Sequence, residues 1–255
     1  MLARAARSAR LATAAPRLAR WLSTSPARTT LTLEQATHSS HLILNELQSA
    51  PMIQQLESVK SADKLHKWQQ ANMVLIQSTM RVLPQLSLPA TPAGMQQYTE
   101  AFAEHLRTEG QETRAMLQQL NEQKWTVLLK HTFGCEPAAR ITLSEARDLA
   151  IAMVDAMQSP DVIRQMEESK TGIAANLSEQ ERQNLVARAV VGVQSDVIQK
   201  AGYEGDAGYA QAQVCLMEHA NDAVVTASVA AATTALYARA GINLQAAIQQ
   251  AMGQY

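Results

Sequence analysis

Two Glu-His pairs are the residues whose types and spacing best suit chemistry. Glu104 and His105 stand in one half of the chain, and Glu218 and His219 stand 114 positions later in the other. A histidine beside a carboxylate can transfer protons near neutral pH or ligate a metal ion. Adjacent residues on a helix point about 100° apart, so neither pair forms a ligand cluster by itself. Two such pairs could form a site only if they faced each other across a pseudo-twofold axis. We favour the simpler interpretation that these are surface or boundary histidines inherited within a repeat.

Other histidines and cysteines stand three or four residues apart, as metal ligands on one helix face do. A zinc site needs more ligands than one such pair supplies, and no second pair follows nearby in sequence. We therefore expect Cys215 to be an ordinary small apolar residue in a helix, and His38 and His41 to lie on a solvated polar face. These pairs are Cys215 with His219, His131 with Cys135, and His38 with His41.

The sequence lacks the common catalytic and nucleotide-binding motifs. It has no GxxxxGK[ST] phosphate loop, no GxSxG and no HExxH. Gly202, Gly205 and Gly208 are spaced by three residues, but a predicted helix rather than a strand precedes them, which argues against a nucleotide loop. Glu204 and Asp206 lack the other ligands of a calcium loop. We predict that the protein is not an enzyme and has no catalytic, cofactor-binding or metal-binding residues.

Each Glu-His pair ends a block that occurs twice, at residues 93–105 and again at 207–219. Both blocks begin with Ala-Gly and share a glutamine before the final Glu-His. An earlier block, residues 31–60, recurs at 141–170 with a spacing of 110 and no gap. Chance similarity between glutamine-rich helical segments is the alternative explanation. The order of the blocks and the small drift in spacing, from 110 to 114, favour a duplicated unit of about 105 residues.

Local signals predict helices throughout both copies. Thr32 and Thr142 each stand three residues before a glutamine or glutamate, which is the spacing of a capping box. The segment 83–94 contains three prolines and a glycine and must interrupt any helix. The next helix is predicted to run from Ala93 to about Leu120, with a bend near Gly110.

The segment from Ala207 to Ala238 is the strongest core candidate. Between Ala223 and Ala238 no residue is charged, and alanine, serine or threonine recurs every fourth position. A helix of this length is shorter than the ~20 residues that cross a bilayer. We therefore expect a buried helix between neighbours rather than a membrane helix. The tail, residues 242–255, is predicted to add one amphipathic helix.

Composition supports a helical protein without disulfides. The 255 residues are 47% hydrophobic but only 4% aromatic, with few glycines and prolines. Alanine, leucine, glutamine and methionine lose little side-chain freedom in a helix. The two cysteines, one in each half, cannot form a disulfide framework and suit a reducing compartment.

The first 30 residues have the composition of a mitochondrial presequence. They contain six arginines and no acidic residue, together with alanine, serine and leucine. Cleavage that leaves Ser23 or Thr30 as the new N-terminus fits the residues around Arg20. A basic partner-binding tail and a chloroplast transit peptide are the alternatives. Without the six positive charges the formal net charge changes from −1 to −7, which argues against nucleic-acid binding by a broad basic surface.

Together these features predict an all-α protein in which two tandem helical units form a bundle behind a cleaved presequence. The expected boundaries are 1–30 for the presequence, 31–136 for the first unit, and 137–255 for the second unit with its tail helix. The expected function is that of a non-catalytic accessory subunit of a mitochondrial inner-membrane complex. We expect it on the matrix side of the respiratory chain or ATP synthase, peripheral to the membrane and bound to other protein subunits. The alternatives are a soluble matrix assembly factor or chaperone, and a carrier of an apolar ligand between the two halves.

Overall fold

The computed structural model describes residues 31–170 and 177–244, and within these ranges every regular element is a helix. The predicted all-α fold is confirmed. The predicted presequence and residues 245–255 of the predicted tail helix lie outside the described residues. In the described ranges the helices are α1 (Leu33–Leu47), α2 (Ala50–Glu57), α3 (Lys64–Val82), α4 (Pro92–Thr108), α5 (Gln111–Thr132), α6 (Leu143–Met157), α7 (Pro160–Glu168), α8 (Glu179–Lys200), α9 (Gly205–Glu218) and α10 (Ala223–Arg239).

The first helix of each half, α1 or α6, starts with the predicted capping box. The Thr32 hydroxyl accepts a hydrogen bond from the backbone N–H of Gln35 at 3.1 Å, and the Gln35 side chain accepts one from the N–H of Thr32 at 2.9 Å. Thr142 and Glu145 repeat this arrangement. Both helices have 15 residues, and within the described ranges four further α-helices follow each of them in its half. This is the order that a duplication would leave; the duplication itself stays a prediction.

The segment predicted as one bent helix from Ala93 to Leu120 consists of two helices. α4 ends at Thr108 because Glu109 and Gly110 adopt extended backbone, with ψ of 161° and 166°. The N–H of Glu109 still bonds to the carbonyl of His105 at 3.1 Å and closes the last turn. The predicted bend near Gly110 is therefore wrong, because the helix breaks completely there. Glycine favours such a break, since it costs a helix about 1 kcal/mol relative to alanine.

The repeated Ala-Gly sequence marks a close backbone approach in both halves. A Cβ on Gly94 would lie 1.9 Å from the carbonyl oxygen of Pro89, and one on Gly208 would lie 2.4 Å from the backbone carbon of Tyr203. Each loop therefore folds back onto the first turn of the helix that follows it, α4 or α9. Only glycine leaves room for that contact.

Two hydrophobic cores, one for each half, share residues across the boundary. The first-half core includes Ala210 and Val214 of α9, and the second-half core includes Leu65 of α3. Trp68 of α3 contacts both cores. Its ring stacks on Trp125 at a centroid distance of 5.5 Å and meets Tyr209 edge-on at 6.3 Å. The described residues from Leu31 onward accordingly group into one compact unit.

Helix α10, whose charged residue is the terminal Arg239, is buried on one side only, whereas its composition predicts a helix buried between neighbours. Its buried residues are Val225, Ala232, Leu236 and Tyr237. Several alanines and threonines on the other side are exposed. Of the helices that the structure describes, none is long and apolar enough to cross a membrane.

Candidate functional site

The two repeated histidines lie at the C-terminal end of the fourth helix of each half and contact the residues just before the first helix of that half. His105 Nε2 lies 2.7 Å from the carbonyl oxygen of Leu31, and His219 Nε2 lies 2.8 Å from that of Ile141. Each carbonyl belongs to the residue just before a capping threonine. Nε2 must carry a hydrogen to donate this bond. His105 Nδ1 also lies 3.1 Å from a carboxylate oxygen of Glu109.

The glutamates of the two pairs have separate partners. Glu104 pairs with Arg107 on the surface of α4. The carboxylate of Glu218 lies 3.5 Å from Arg140, and burial raises its pKa while this arginine lowers it. Because both histidines use Nε2 on a backbone carbonyl, neither Glu-His pair is arranged as an acid-base dyad. Their geometry is that of structural contacts.

The Cys215 thiol and the other histidines contact backbone, hydroxyl or carboxylate groups or face solvent. The Cys215 thiol lies near the Ala139 carbonyl and the Tyr203 hydroxyl, at 3.6 and 4.0 Å, and burial raises its pKa. His131 contacts Glu57 through Nδ1 at 3.1 Å. His38 and His41 are exposed on α1. No three of the described histidine, cysteine, aspartate and glutamate side chains form a group that could hold a metal ion.

Lys124 of α5 is a buried cation to which the sequence patterns did not point. The residue is 5% exposed, and its Nζ donates to the hydroxyl of Ser40 at 3.2 Å. Nζ also lies 5.4 Å from the centre of the Phe102 ring. No ion pair of Lys124 occurs among the described residues, and burial lowers its pKa to about 8. A charged amine without a carboxylate partner is costly in such surroundings.

The polar cluster formed by Lys124, Ser40 and the adjacent Ser39 is specific to the first half. At the repeat spacing of 110, Ser39 and Ser40 of α1 correspond to Leu149 and Ala150 of α6. The described part of the second half forms the same helix order with no buried lysine or arginine, so this helix order does not require Lys124. A sequence signal was present: Lys124 interrupts the helical stripe of Leu117, Leu120 and Leu128.

The chemistry available to Lys124 is limited by its enclosure. A lysine with a lowered pKa supplies a neutral amine, which is a nucleophile. At 5% exposure, between α1, α4 and α5, the side chain offers a substrate no open approach. Tyr98 of α4 is similarly enclosed beside Ser39, and burial raises its pKa. The cluster therefore affects stability and its pH dependence rather than a reaction.

An open groove of about 690 Å³ lies between α6 and α8. Leu149, Ala152 and Val197 contribute apolar surface, whereas Asp148 and Asp155 contribute carboxylates. Its volume falls within the range of ligand sites, roughly 300–1,000 Å³. It lies within the second half and not between the two halves.

Comparison of the chain with protein-family models, with curated protein sequences and with solved structures finds no match.

Proposed function

We propose that the protein is a non-catalytic accessory subunit of a mitochondrial inner-membrane complex, either the respiratory chain or ATP synthase. In this proposal it binds other subunits on the matrix side and is peripheral to the membrane. The observation that carries the proposal is the exposed face of α10. This helix has the composition of a buried element, yet half of it is uncovered in the single chain.

The exposed face of α10 differs from the solvent-facing side of an ordinary amphipathic helix. Such a side normally carries charged residues. Here the charged groups stand only at the two ends, where Arg147 pairs with Asp222 and Arg239 pairs with Glu167. Small side chains allow another helix to approach closely. The exposed residues between those ends are Thr226, Ala230, Ala231, Thr234, Ala235 and Ala238.

The size of this face suits a protein partner. From Thr226 to Ala238 the helix rises about 18 Å, at 1.5 Å per residue. One helix of a neighbouring subunit packed along that length would cover the alanines and threonines and leave the two terminal ion pairs in solvent. Under this proposal, α10 has the composition of a buried helix because a neighbouring subunit covers its exposed side in the assembly.

The mitochondrial part of the proposal rests on residues 1–30. Their six arginines and lack of acids are typical of an import sequence. A soluble matrix assembly factor or chaperone is the second candidate, because a transient partner would cover the same face. A carrier with its ligand between the halves is less favoured, since Trp68, Trp125 and Tyr209 already fill that contact.

A charge placed on the face of α10 tests the proposal. In Ala235→Glu a carboxylate replaces a methyl group on the exposed side. Ala115→Glu on α5 is the matched control, because Ala115 is also an exposed helical alanine. We expect Ala115→Glu to enter the native complex like the original protein and Ala235→Glu to migrate alone with unchanged helical circular dichroism. Entry of Ala235→Glu into the complex would contradict the assignment of this interface.

A further inference from the structure

The groove between α6 and α8 combines an apolar floor with an acidic wall. Leu149, Ala152 and Val197 line it, and Ala152 is exposed to solvent. Ile151 stands beside Ala152 on α6 and is 44% exposed, which is unusual for a large aliphatic side chain. The apolar surface therefore continues from the floor onto the adjacent face of α6.

Two aspartates on α6 lie beside this apolar surface. Asp148 and Asp155 are seven residues apart on α6, which is two helical turns or about 10 Å. Neither aspartate forms an ion pair with another described residue. Glu145 adds a third carboxylate, although it is engaged in the capping box with Thr142. The lining includes one cation, Lys200, so the groove is net negative.

The corresponding surface of the first half lacks these features. At the spacing of 110 that relates α1 to α6, Leu42 stands in place of Ala152, and it packs against the first-half core. His38 and Asn45 stand in place of Asp148 and Asp155. The first half therefore forms the same capping box at the start of α1 without an acidic groove. The shared fold alone does not explain why the second half has this groove.

We propose that this groove binds a cationic amphipathic helix of a partner protein. Apolar side chains of that helix lie over Ala152 and Ile151, and lysine or arginine side chains two turns apart pair with Asp148 and Asp155. A helix fits better than a compact ligand because the carboxylates are spread along two turns of α6 in an open groove. Alanine at position 152 lets the partner backbone approach. The inference rests on the proposed function and names the chemistry of one partner.

Two synthetic peptides provide the direct test. One is an 18-residue helical peptide with leucines at i, i+4, i+7 and i+11 and arginines seven residues apart beside them. The other carries glutamate in place of every arginine. Fluorescence anisotropy with the full chain measures both affinities. We expect the arginine peptide to bind at least about tenfold more tightly, since two exposed ion pairs together contribute a factor of that order.

Variants of the groove locate the binding. Ala152→Leu introduces the residue that the first half carries and fills the floor, so the affinity for the arginine peptide should fall at least about tenfold. Asp148→Asn combined with Asp155→Asn should remove the preference for arginine over glutamate. Asp196→Asn is the matched control, because Asp196 is exposed on α8 but does not line the groove. It should bind like the original chain.

The outcomes separate this inference from the proposed function. Equal affinity for both peptides, or binding that Ala152→Leu leaves unchanged, overturns the groove assignment. Binding of dodecylammonium without binding of either peptide overturns it in favour of a small amphipathic cation. If the original chain enters a native complex and Ala152→Leu enters it equally well, the groove assignment fails while the proposed function stands. An original chain that binds the arginine peptide but migrates alone overturns the proposed function only.

Discussion

Replacing Lys124 by methionine should stabilise the protein at neutral pH. The lysine is 5% exposed, donates to Ser40 and has no carboxylate partner among the described residues. Burial lowers its pKa from 10.5 to about 8. Methionine has a similar length and no charge, so it occupies the same space between α1, α4 and α5 without the cost of burying an ammonium group.

The magnitude follows from the lowered pKa. Each pKa unit corresponds to about 1.4 kcal/mol, so the buried charge costs about 3 kcal/mol. Loss of the hydrogen bond to Ser40 offsets about 1 kcal/mol. The net gain in unfolding free energy at pH 7 should therefore be about 2 kcal/mol.

The same pKa fixes the sign of the pH dependence. Between about pH 8 and pH 10.5 the unfolded chain holds the proton of Lys124 and the folded chain does not. The unfolding free energy of the original protein therefore rises with pH through this window, and the full cost of the buried charge is present below it. Tyr98 remains protonated over most of the window because burial raises its pKa.

Urea unfolding followed by circular dichroism at 222 nm, at pH 7 and at pH 10, measures both effects. The stability advantage of Lys124→Met should be about 2 kcal/mol at pH 7 and should vanish by pH 10. Lys130→Met is the control, because Lys130 is exposed on the same helix, and it should change stability by less than about 0.5 kcal/mol. A Lys124→Met protein that is less stable at pH 7, or an advantage that does not change with pH, would refute the reasoning.

Three further predictions concern a histidine contact, a close backbone approach and an aromatic ring shared by both cores. His105→Ala removes contacts to a backbone carbonyl and to a carboxylate and should cost about 1–2 kcal/mol of unfolding free energy, whereas the exposed His38→Ala should cost less than about 0.5 kcal/mol in the same urea titration. Gly94→Ala places a Cβ 1.9 Å from a carbonyl oxygen and should lower the thermal unfolding midpoint markedly. Gly192→Ala is the control, because a Cβ there has nothing within 4 Å, and it should raise the midpoint slightly. Equal changes in midpoint for the two variants would contradict the close approach at Gly94. Trp68→Ala removes the ring shared by both cores and should cost about 3–5 kcal/mol or split the unfolding curve in two; a single, unshifted transition would show that the cores do not depend on it.

Features set by neighbouring residues could be predicted from the sequence. The capping boxes at Thr32 and Thr142 depend on a partner three residues away, and the all-helical character follows from composition. The break at Gly110 was predicted only as a bend, because propensity alone does not separate a kinked helix from two helices. The duplicated unit remains a prediction that the shared helix order fits.

Features that depend on distant residues could not be predicted. His105 reaches the carbonyl of a residue 74 positions away, and Lys124 reaches a hydroxyl 84 positions away. Repetition singled out the histidines, but it did not distinguish a ligand from a structural contact. The exposure of α10 was also missed, since its sequence has no charged side to indicate solvent. That mismatch between composition and exposure is the basis for proposing a partner protein.

Native-gel fractionation of gently solubilised mitochondria, followed by mass spectrometry of the band that contains this chain, tests the central claim most directly. The proposed function predicts a band far larger than the 27.8 kDa chain, together with subunits of the respiratory chain or ATP synthase in fixed proportion. Migration of the chain alone, near its own mass, would contradict the claim that it is a subunit.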